Sequence, residues 1–258
     1  AEHLTPVLLE LGGQNPAIVD QTANIAESAR KIVWGAMAWG GQWCTSPGYA
    51  YVHESVVEEF NTEAKKALIE MYGENPKTNP DFSKIINAKA VKRLASLIDP
   101  AKVIAGGDYD EEARYLAPTL IYPASWSDTI MEDEIFGPIL AILPYSDLKQ
   151  AVAKIKAAPK PLAAYIFSRD EETIQYLLHT LSFGGGVVNH VNIHLFVLSL
   201  PFGGVGSSGI GSYYGKYGFD SLTHPKSVLS IPTDLSIEHL YPPYTPEKIK
   251  QADIWSEY

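Results

Sequence analysis

Residues 17–52, AIVDQTANIAESARKIVWGAMAWGGQWCTSPGYAYV, predict a strand, a helix and a second strand in succession. Residues 17–19 are a short apolar run, and Asn24 has the pattern of a helix N-cap, with a glutamate three positions later. Apolar side chains then recur at helical spacing until a glycine pair ends the helix near Trp39. Residues 49–52 form the second strand. Such a strand–helix–strand unit is typical of a parallel sheet.

The rest of the chain continues this alternation and contains no internal repeat. We predict further strands at residues 7–11, 102–105, 116–122, 139–144, 162–167 and 186–189, and helices at residues 54–71, 88–98, 148–157 and 171–181. The runs 139–144, 162–167 and 186–189 are expected to be buried strands. The predicted fold class is α/β, with a mainly parallel twisted sheet flanked by helices. One domain is expected over residues 1–230, and a proline-rich, charged arm or tail over residues 231–258.

Composition and charge exclude several classes of function. The 258 residues contain 30 acidic and 20 basic side chains, a net charge of −10, so the phosphates of a nucleic acid would be repelled. No apolar run approaches the roughly 20 residues that span a bilayer. The seven histidines lack the spacing of a metal site, so no metal is predicted. One cysteine excludes an internal disulfide and fits a reducing, cytoplasmic location.

That single cysteine, Cys44, lies in GGQWCT, and Glu10 lies on a second glycine turn, LELGG. Glycine lets the backbone approach a substrate closely. An ionised thiol is a strong nucleophile, and a carboxylate is a general base. The two residues together predict a site of covalent catalysis, at which Cys44 reacts rapidly with iodoacetamide near neutral pH. The alternative is a small buried core cysteine, which would not react.

Two further stretches invite a functional interpretation. Residues 132–138, EDEIFGP, are ordinarily a solvated acidic run, but the Phe-Gly-Pro turn would direct Glu134 to one place. There a carboxylate can accept both hydroxyls of a ribose. Residues 204–209, GVGSSG, match G-x-G-x-x-G, yet no strand precedes them and too few residues follow for a nucleotide fold. We expect a glycine-rich loop that packs against the active site.

Four segments in one order resemble the catalytic half of an aldehyde dehydrogenase: ELGG (10–13), GQWC (41–44), EIFGP (134–138) and LPFGGVGSSG (200–209). SYYGK (212–216) and SLTH (221–224) resemble the class 3 and fatty aldehyde dehydrogenase branch, near which fungal apo-carotenal dehydrogenases belong. The resemblance implies oxidation of an aldehyde to the carboxylic acid with NAD or NADP as cofactor.

The resemblance also implies the roles of individual residues. Cys44 attacks the aldehyde carbon to form a thiohemiacetal, and its backbone N–H supplies half of an oxyanion hole. Hydride loss then leaves a thioester, which is hydrolysed by a water that Glu10 activates. Glu134 holds the nicotinamide ribose, Phe136 packs beside the nicotinamide, and Gly12 belongs to the cofactor site.

A substrate pocket follows from the register with the class 3 branch. Its lining is mostly apolar and aromatic, which suits a long-chain or apo-carotenoid aldehyde. The predicted lining residues are Ala38, Trp43, Asn192, Leu195, Phe196, Phe202 and Tyr214. For Leu195 and Phe196 the alternative is core packing. Trp43 is bulkier than the residue usual in this family and would narrow the pocket mouth. Gln14 stands where relatives more often have Lys or Asn.

Several expectations concern the protein as a whole. The nucleotide-binding domain of the family precedes the Glu10 segment, so we expect the catalytic domain alone, inactive by itself as a dehydrogenase. The alternatives are a binding or oligomerisation module and a weak esterase. The resemblance further implies a homodimer in the cytoplasm, or association with a membrane surface through a C-terminal anchor outside the given sequence.

Overall fold

A computed structural model describes residues 4–252 and shows a central sheet covered by helices. Contacts divide the chain after Thr223 into two units. The strands, in chain order, are β1 (Leu9–Glu10), β2 (Asn15–Val19), β3 (Pro47–His53), β4 (Val103–Ala105), β5 (Tyr109–Asp110), β6 (Tyr115–Leu116), β7 (Thr119–Ile121), β8 (Ile139–Tyr145), β9 (Ala163–Phe167), β10 (Gly185–Val188) and β11 (Gly209–Ile210).

The helices follow the strands in the alternation that the sequence predicts. They are α1 (Ile25–Met37), α2 (Val57–Tyr72), α3 (Ala88–Ser96), α4 (Leu148–Ala157), α5 (Glu171–Thr180) and α6 (Gly215–Leu222) in the first unit, and α7 (Pro246–Ala252) in the second. The second unit also contains a short 3₁₀ turn, Glu238–Leu240. Residues 253–258 of the predicted arm lie outside the described residues, and the domain division at residue 230 stays a prediction.

The main sheet has the strand order β10-β9-β2-β3-β8-β7-β4. Neighbouring strands are parallel except for β4, which pairs antiparallel with β7. Helices α1 and α2 pack on one face, and side chains of α3, α4 and α5 cover the other. The predicted mainly parallel sheet flanked by helices is therefore confirmed.

Local sequence explains why α1 forms where it does. The side chain of Asn24 accepts a hydrogen bond from the Glu27 N–H at 3.3 Å, as an N-cap does. One face of the helix is buried against the sheet, through Ile25, Ala29, Ile32, Val33, Ala36 and Met37. Three left-handed residues, Trp39 to Gly41, then end the helix within a 3₁₀ turn.

Three strand predictions were wrong in part. The run 116–122 is interrupted before β7, because Pro118 has no N–H to donate to a ladder. The run 7–11 forms only the two residues of β1, outside the main sheet. Strand β10 is not buried, since it lies at the sheet edge and Val188 is 36% exposed.

Candidate active site

Cys44 lies on the loop between α1 and β3, half-buried. The turn before it brings Gly41 against the backbone of the Glu134 segment. A Cβ on Gly41 would collide with the carbonyl group of Gly137, and its φ of +66° is one that other residues rarely adopt. The loop of the nucleophile and the EIFGP stretch are thus in direct backbone contact, although about 90 residues separate them in the sequence.

Glu10 is placed by the glycine-rich stretch that resembles a nucleotide loop. Strand β1 pairs antiparallel with β11, with Glu10 opposite Gly209. The Leu11 N–H donates to the Ser208 carbonyl at 3.0 Å, which extends the pairing. Strand β11, rather than a helix, begins at Gly209, the last residue of GVGSSG. The glycine-rich loop therefore packs against the Glu10 segment, as the sequence led us to expect.

The Glu10 carboxylate lies close enough to the Cys44 thiol to affect the pKa of that thiol. Burial raises the pKa of Cys44 from 9.0 to about 12, and the charge and hydrogen bonding of Glu10, then the charge of Glu134, act in the same direction. The expectation of a thiol that ionises near neutral pH is corrected here, because burial and two carboxylates disfavour a second negative charge. Glu10 Oε1 is buried and has no hydrogen-bond partner.

Glu134 lies against the glycine turn that follows Glu10. The Gly13 N–H donates to its carboxylate, and a Cβ on Gly12 would collide with that carboxylate. Burial raises the pKa of Glu134 above its ordinary value, with smaller contributions from Asp133 and Glu10. Glu134 Oε1 is buried and unpartnered, so one acceptor oxygen remains for a ligand hydroxyl.

Two long side chains hold the backbone around Glu134. Gln14 Nε2 donates to the carbonyl groups of Ile130 at 2.7 Å and Asp133 at 2.5 Å. Arg93 donates to the carbonyl group of Glu134 at 3.4 Å and to that of Ile135. The Gln14 amide, directly before β2, therefore connects the start of that strand to the acidic segment.

Phe136 follows in a left-handed conformation, with φ of 50°, and its side chain is 43% exposed. A bulky residue with positive φ is an outlier, and such outliers cluster at ligand sites. The strained backbone presents the ring to the outside of the chain instead of to the core. The prediction that Phe136 packs beside the nicotinamide stays a prediction.

An aromatic cluster surrounds the residue before the nucleophile. The Trp43 ring is buried and lies 3.9 Å from the Trp39 ring, 6.0 Å from Trp34 and 6.4 Å from Phe196, centroid to centroid. Trp39 and Phe196 are 60% and 61% exposed. This Trp34–Trp39–Trp43–Phe196 group, hereafter the aromatic cluster, forms an apolar surface that begins one residue from Cys44.

The remaining predicted pocket residues lie at different depths. Phe202 is buried and stacks on Tyr214 at 5.3 Å, and Asn192 is fully buried. Ala38 and Leu195 are half-buried. The assignment of all seven residues to a pocket stays a prediction.

Tyr213, which the sequence reasoning passed over in favour of Tyr214, is close to Cys44 and Glu10. Burial raises the pKa of Tyr213 to about 12, with additional contributions from the charges of Glu10, Tyr214 and Cys44. Its ring also contacts Phe202 edge-on at 5.3 Å. The adjacent tyrosines in SYYGK were the available signal, and alternation along the chain is what places the first of them toward Cys44.

The sequence reasoning missed two more residues, which bind the backbone of the Cys44 loop. Asn15, at the start of β2, donates from Nδ2 to the carbonyl groups of Cys44 and Ser46, both at 2.9 Å. Tyr165, inside β9, donates to the Thr45 carbonyl at 2.6 Å. A polar side chain in an otherwise buried strand is the sequence signal that would have identified them.

Buried polar atoms without partners concentrate in this region. They include atoms of Glu10, Gln14, Trp43, Thr45, Ser46, Glu134 and His194. His194 lies between the rings of Tyr165 and Phe202, and burial lowers its pKa to about 4. Since buried polar atoms are normally satisfied, their concentration here is typical of a site that binds water or ligand.

Other parts of the described chain lack comparable chemistry. A cavity of about 520 Å³ between α2 and β4–β6 is lined by Lys65, Lys77 and Tyr115, among others, and contains none of the predicted site residues. Among residues 4–252, no group of three or more His, Cys, Asp or Glu side chains is arranged to hold a metal ion. Within the same range, no helix has the length and apolar character that crossing a membrane requires.

Comparisons with known proteins agree with this geometry. The sequence model of the aldehyde dehydrogenase family matches residues 1–228. The 4,4'-diaponeurosporen-aldehyde dehydrogenase of Staphylococcus aureus is 46% identical over 246 residues, which are 95% of this chain and 54% of that protein. Aldehyde dehydrogenase family 3 member A2 of Mus musculus is 40% identical over 254 residues, 98% of this chain and 52% of that protein.

A solved structure gives the same result for the fold. The substrate-bound state of Staphylococcus aureus AldH superposes with a TM-score of 0.95 at 44% identity, over 98% of this chain and 56% of that one. The chain thus spans about half the length of the curated relatives it matches. The resemblance inferred from the four motifs is confirmed: this chain belongs to the aldehyde dehydrogenase family.

Proposed function

We propose that this chain supplies the nucleophile and the general base for oxidation of an apolar aldehyde to the carboxylic acid, with Cys44 and Glu10 in those roles. The single observation that supports the proposal most is the proximity of the Cys44 thiol to the Glu10 carboxylate. The two residues come from separate loops, and Glu134 from a third loop lies close to both.

The raised pKa of Cys44 determines how the first step has to begin. At neutral pH the thiol is protonated, so the proton must leave as Sγ adds to the aldehyde carbon. The neighbouring Glu10 carboxylate accepts that proton, and the carbonyl π electrons move to the aldehyde oxygen. The Cys44 backbone N–H is the group within this loop that would donate to the resulting oxyanion.

A bound NAD or NADP would supply the hydride acceptor for the carbon that is attached to Cys44. The residues present fit part of this cofactor, because Glu134 Oε1 is a buried acceptor without a partner and suits a ribose hydroxyl. Gly12 keeps the carboxylate close to the turn, and the exposed Phe136 ring offers an apolar face. Glu134, Phe136 and Gly12 are therefore the proposed cofactor residues of this chain.

The second half of the reaction returns Cys44 to its thiol form. Glu10 first releases to solvent the proton that it took from the thiol. Its carboxylate then takes a proton from a water molecule, whose oxygen attacks the thioester carbon and displaces Sγ. The carboxylic acid leaves, and the proton on Glu10 is available to the departing thiolate. The high thiol pKa assists this return, since the protonated form is the stable one at the end of each turnover.

The aromatic cluster supports a long apolar substrate. Trp39 and Phe196 are exposed and continue the surface that begins at the buried Trp43. A chain of many carbons gains from apolar contact along that surface, whereas a two-carbon aldehyde does not reach it. The Staphylococcus aureus relative is named for a 4,4'-diaponeurosporen-aldehyde, which favours a long polyene as the substrate class here.

Three parts of the overall account stay predictions. They are homodimerisation, a cytoplasmic location, and the division into a catalytic domain over residues 1–230 and an arm over residues 231–258. A binding module without chemistry is the alternative function, and Cys44 reactivity separates it from the enzyme.

The test uses the addition step, which requires only this chain. Cys44 is the only cysteine, so alkylation by iodoacetamide, followed by mass spectrometry, reports on that thiol alone. We expect decanal to protect Cys44 more strongly than acetaldehyde at equal concentration, and Phe196→Ala to reduce the difference. Phe219→Ala, a 69% exposed phenylalanine on α6, is the matched control. Absence of protection by either aldehyde would reject the nucleophilic role.

A further inference from the structure

Three consecutive carbonyl groups of the loop that contains Cys44 accept hydrogen bonds from side chains of the central sheet. Asn15 Nδ2 donates to the carbonyl oxygens of Cys44 and Ser46, each at 2.9 Å. The Tyr165 hydroxyl donates to the carbonyl oxygen of Thr45, between them, at 2.6 Å. The loop that contains the nucleophile is therefore attached to the sheet at each of residues 44–46.

The two donors are themselves held firmly. Asn15 and Tyr165 are fully buried and lie on the adjacent parallel strands β2 and β9. Asn15 Oδ1 accepts the Ala163 N–H at 2.9 Å, so both ends of the amide are used. The Tyr165 hydroxyl also lies 2.8 Å from Asn192 Oδ1, and its single proton serves one of the two acceptors at a time.

This arrangement has a consequence for Cys44. The Cys44 carbonyl accepts from Asn15, and the Trp43 carbonyl accepts from the Ser46 N–H, so the peptide groups on both sides of Cys44 are held. This restricts the backbone dihedrals of Cys44 and so the direction of its Cα–Cβ bond. The bond from Ser46 lies within the loop, whereas those from Asn15 and Tyr165 attach the loop to the sheet. The position of Sγ relative to Glu10 therefore depends on Asn15 and Tyr165.

We propose that Asn15 and Tyr165 are positioning residues, which clamp the carbonyl groups of residues 44–46 and hold the Cys44 thiol beside Glu10. The importance of the clamp for turnover rests on the proposed function of Cys44, whereas its effect on the thiol does not. Loss of one bond lets the loop open more often, which exposes the thiol to reagents and separates it from Glu10.

Tyr165→Phe is the sharpest test, because it removes one hydroxyl and keeps the buried ring. Tyr145→Phe is its matched control: Tyr145 is also buried in the sheet, and its hydroxyl donates to the Val19 carbonyl at 3.4 Å. Val19 is four residues along β2 from Asn15, about 13 Å away. Asn15→Asp has a similar control in Asn189→Asp, whose amide bridges the N–H and carbonyl of Ser168.

Two readouts are measured on the 258-residue chain for each variant: the rate of Cys44 alkylation at pH 8 and over a pH series, and the rate of Cys44 acylation by p-nitrophenyl hexanoate. We expect Tyr165→Phe to raise the alkylation rate about fivefold, the effect of one lost hydrogen bond on an opening equilibrium. The apparent pKa of the thiol should fall, and acylation should slow. Tyr145→Phe should leave both rates within about twofold of wild type. It should lower Tm by about as much as Tyr165→Phe does.

The outcomes separate the clamp from the proposed function. Equal alkylation rates in wild type and Tyr165→Phe, or equal changes in both tyrosine variants, would overturn the clamp. If Tyr165→Phe speeds alkylation but no variant, nor the wild type, is acylated, the clamp stands and the nucleophilic role of Cys44 fails.

Discussion

Replacing Glu10 by glutamine should change the reactivity of Cys44 in two opposite directions. Burial raises the pKa of Cys44 from 9.0 to about 12, and Glu10 contributes the next two causes, its charge and its hydrogen bonding. At pH 8 a thiol with that pKa is ionised in about one molecule in ten thousand, against about one in ten at the ordinary value. Glu10→Gln removes one close negative charge, so we expect Cys44 alkylation to become about tenfold faster at pH 8.

Hydrolysis of the acylated thiol should respond in the reverse sense. A glutamine cannot take a proton from water, so turnover of p-nitrophenyl hexanoate should fall by about a hundredfold in the same variant. Iodoacetamide labelling and p-nitrophenol release measure the two effects. Glu74→Gln, which removes an exposed carboxylate outside the site, is the control for net charge. An unchanged or slower alkylation in Glu10→Gln would refute the reasoning, because Glu10 would then not be what disfavours the thiolate.

Three further predictions concern the surroundings of the site. Gly41→Ala should lower the free energy of unfolding by about 3 kcal/mol or more, because its Cβ meets a carbonyl group as well as a strained φ. Gly73→Ala, which has open space but a φ of 72° and a ψ of −179° that are nearly exclusive to glycine, should cost about 1–3 kcal/mol in the same urea titration and so separates backbone strain from collision. Burial lowers the pKa of His194 from 6.5 to about 4, so the unfolded chain binds a proton that the folded chain does not, and the free energy of unfolding should fall as the pH falls from 6.5 toward 4. His194→Phe should flatten that part of the stability–pH curve, and a curve as steep as wild type would contradict the assignment. Phe136→Gly should leave Tm unchanged or higher, since Phe136 is exposed at a φ of 50°, and a fall of several degrees would show that the ring packs in the core.

The sequence was most informative where chemistry and local pattern coincide. Cys44 is the single cysteine and Glu10 precedes a glycine turn, so a pairing of the two could be predicted, and α1 was predictable because it has both an N-cap and an apolar stripe. The start of β7 was not, because the apolar pattern continues across Pro118 and hides the missing N–H. The exposure of β10 depends on strand order, which the composition of a short apolar run does not encode.

Long-range hydrogen bonds were the other source of error. Asn15 and Tyr165 contact the Cys44 loop across 29 and 120 positions of sequence. Each is a polar residue in a buried strand, but a single sequence does not show which distant loop such a residue binds. The raised pKa of Cys44 arises in the same way, because burial and the approach of two carboxylates are products of the folded chain. A thiol was predictable from the sequence, but its protonation state required the structure.

The central claim is that Cys44 is the nucleophile and that Glu10 activates the water that hydrolyses the acylated thiol. The most direct test is the intact mass of the Glu10→Gln chain, quenched after mixing with p-nitrophenyl hexanoate and mapped by peptide digestion. We predict that one hexanoyl group accumulates on Cys44 and that the Cys44→Ala, Glu10→Gln chain gains none. An unmodified chain, or a hexanoyl group on any other residue, would contradict the account.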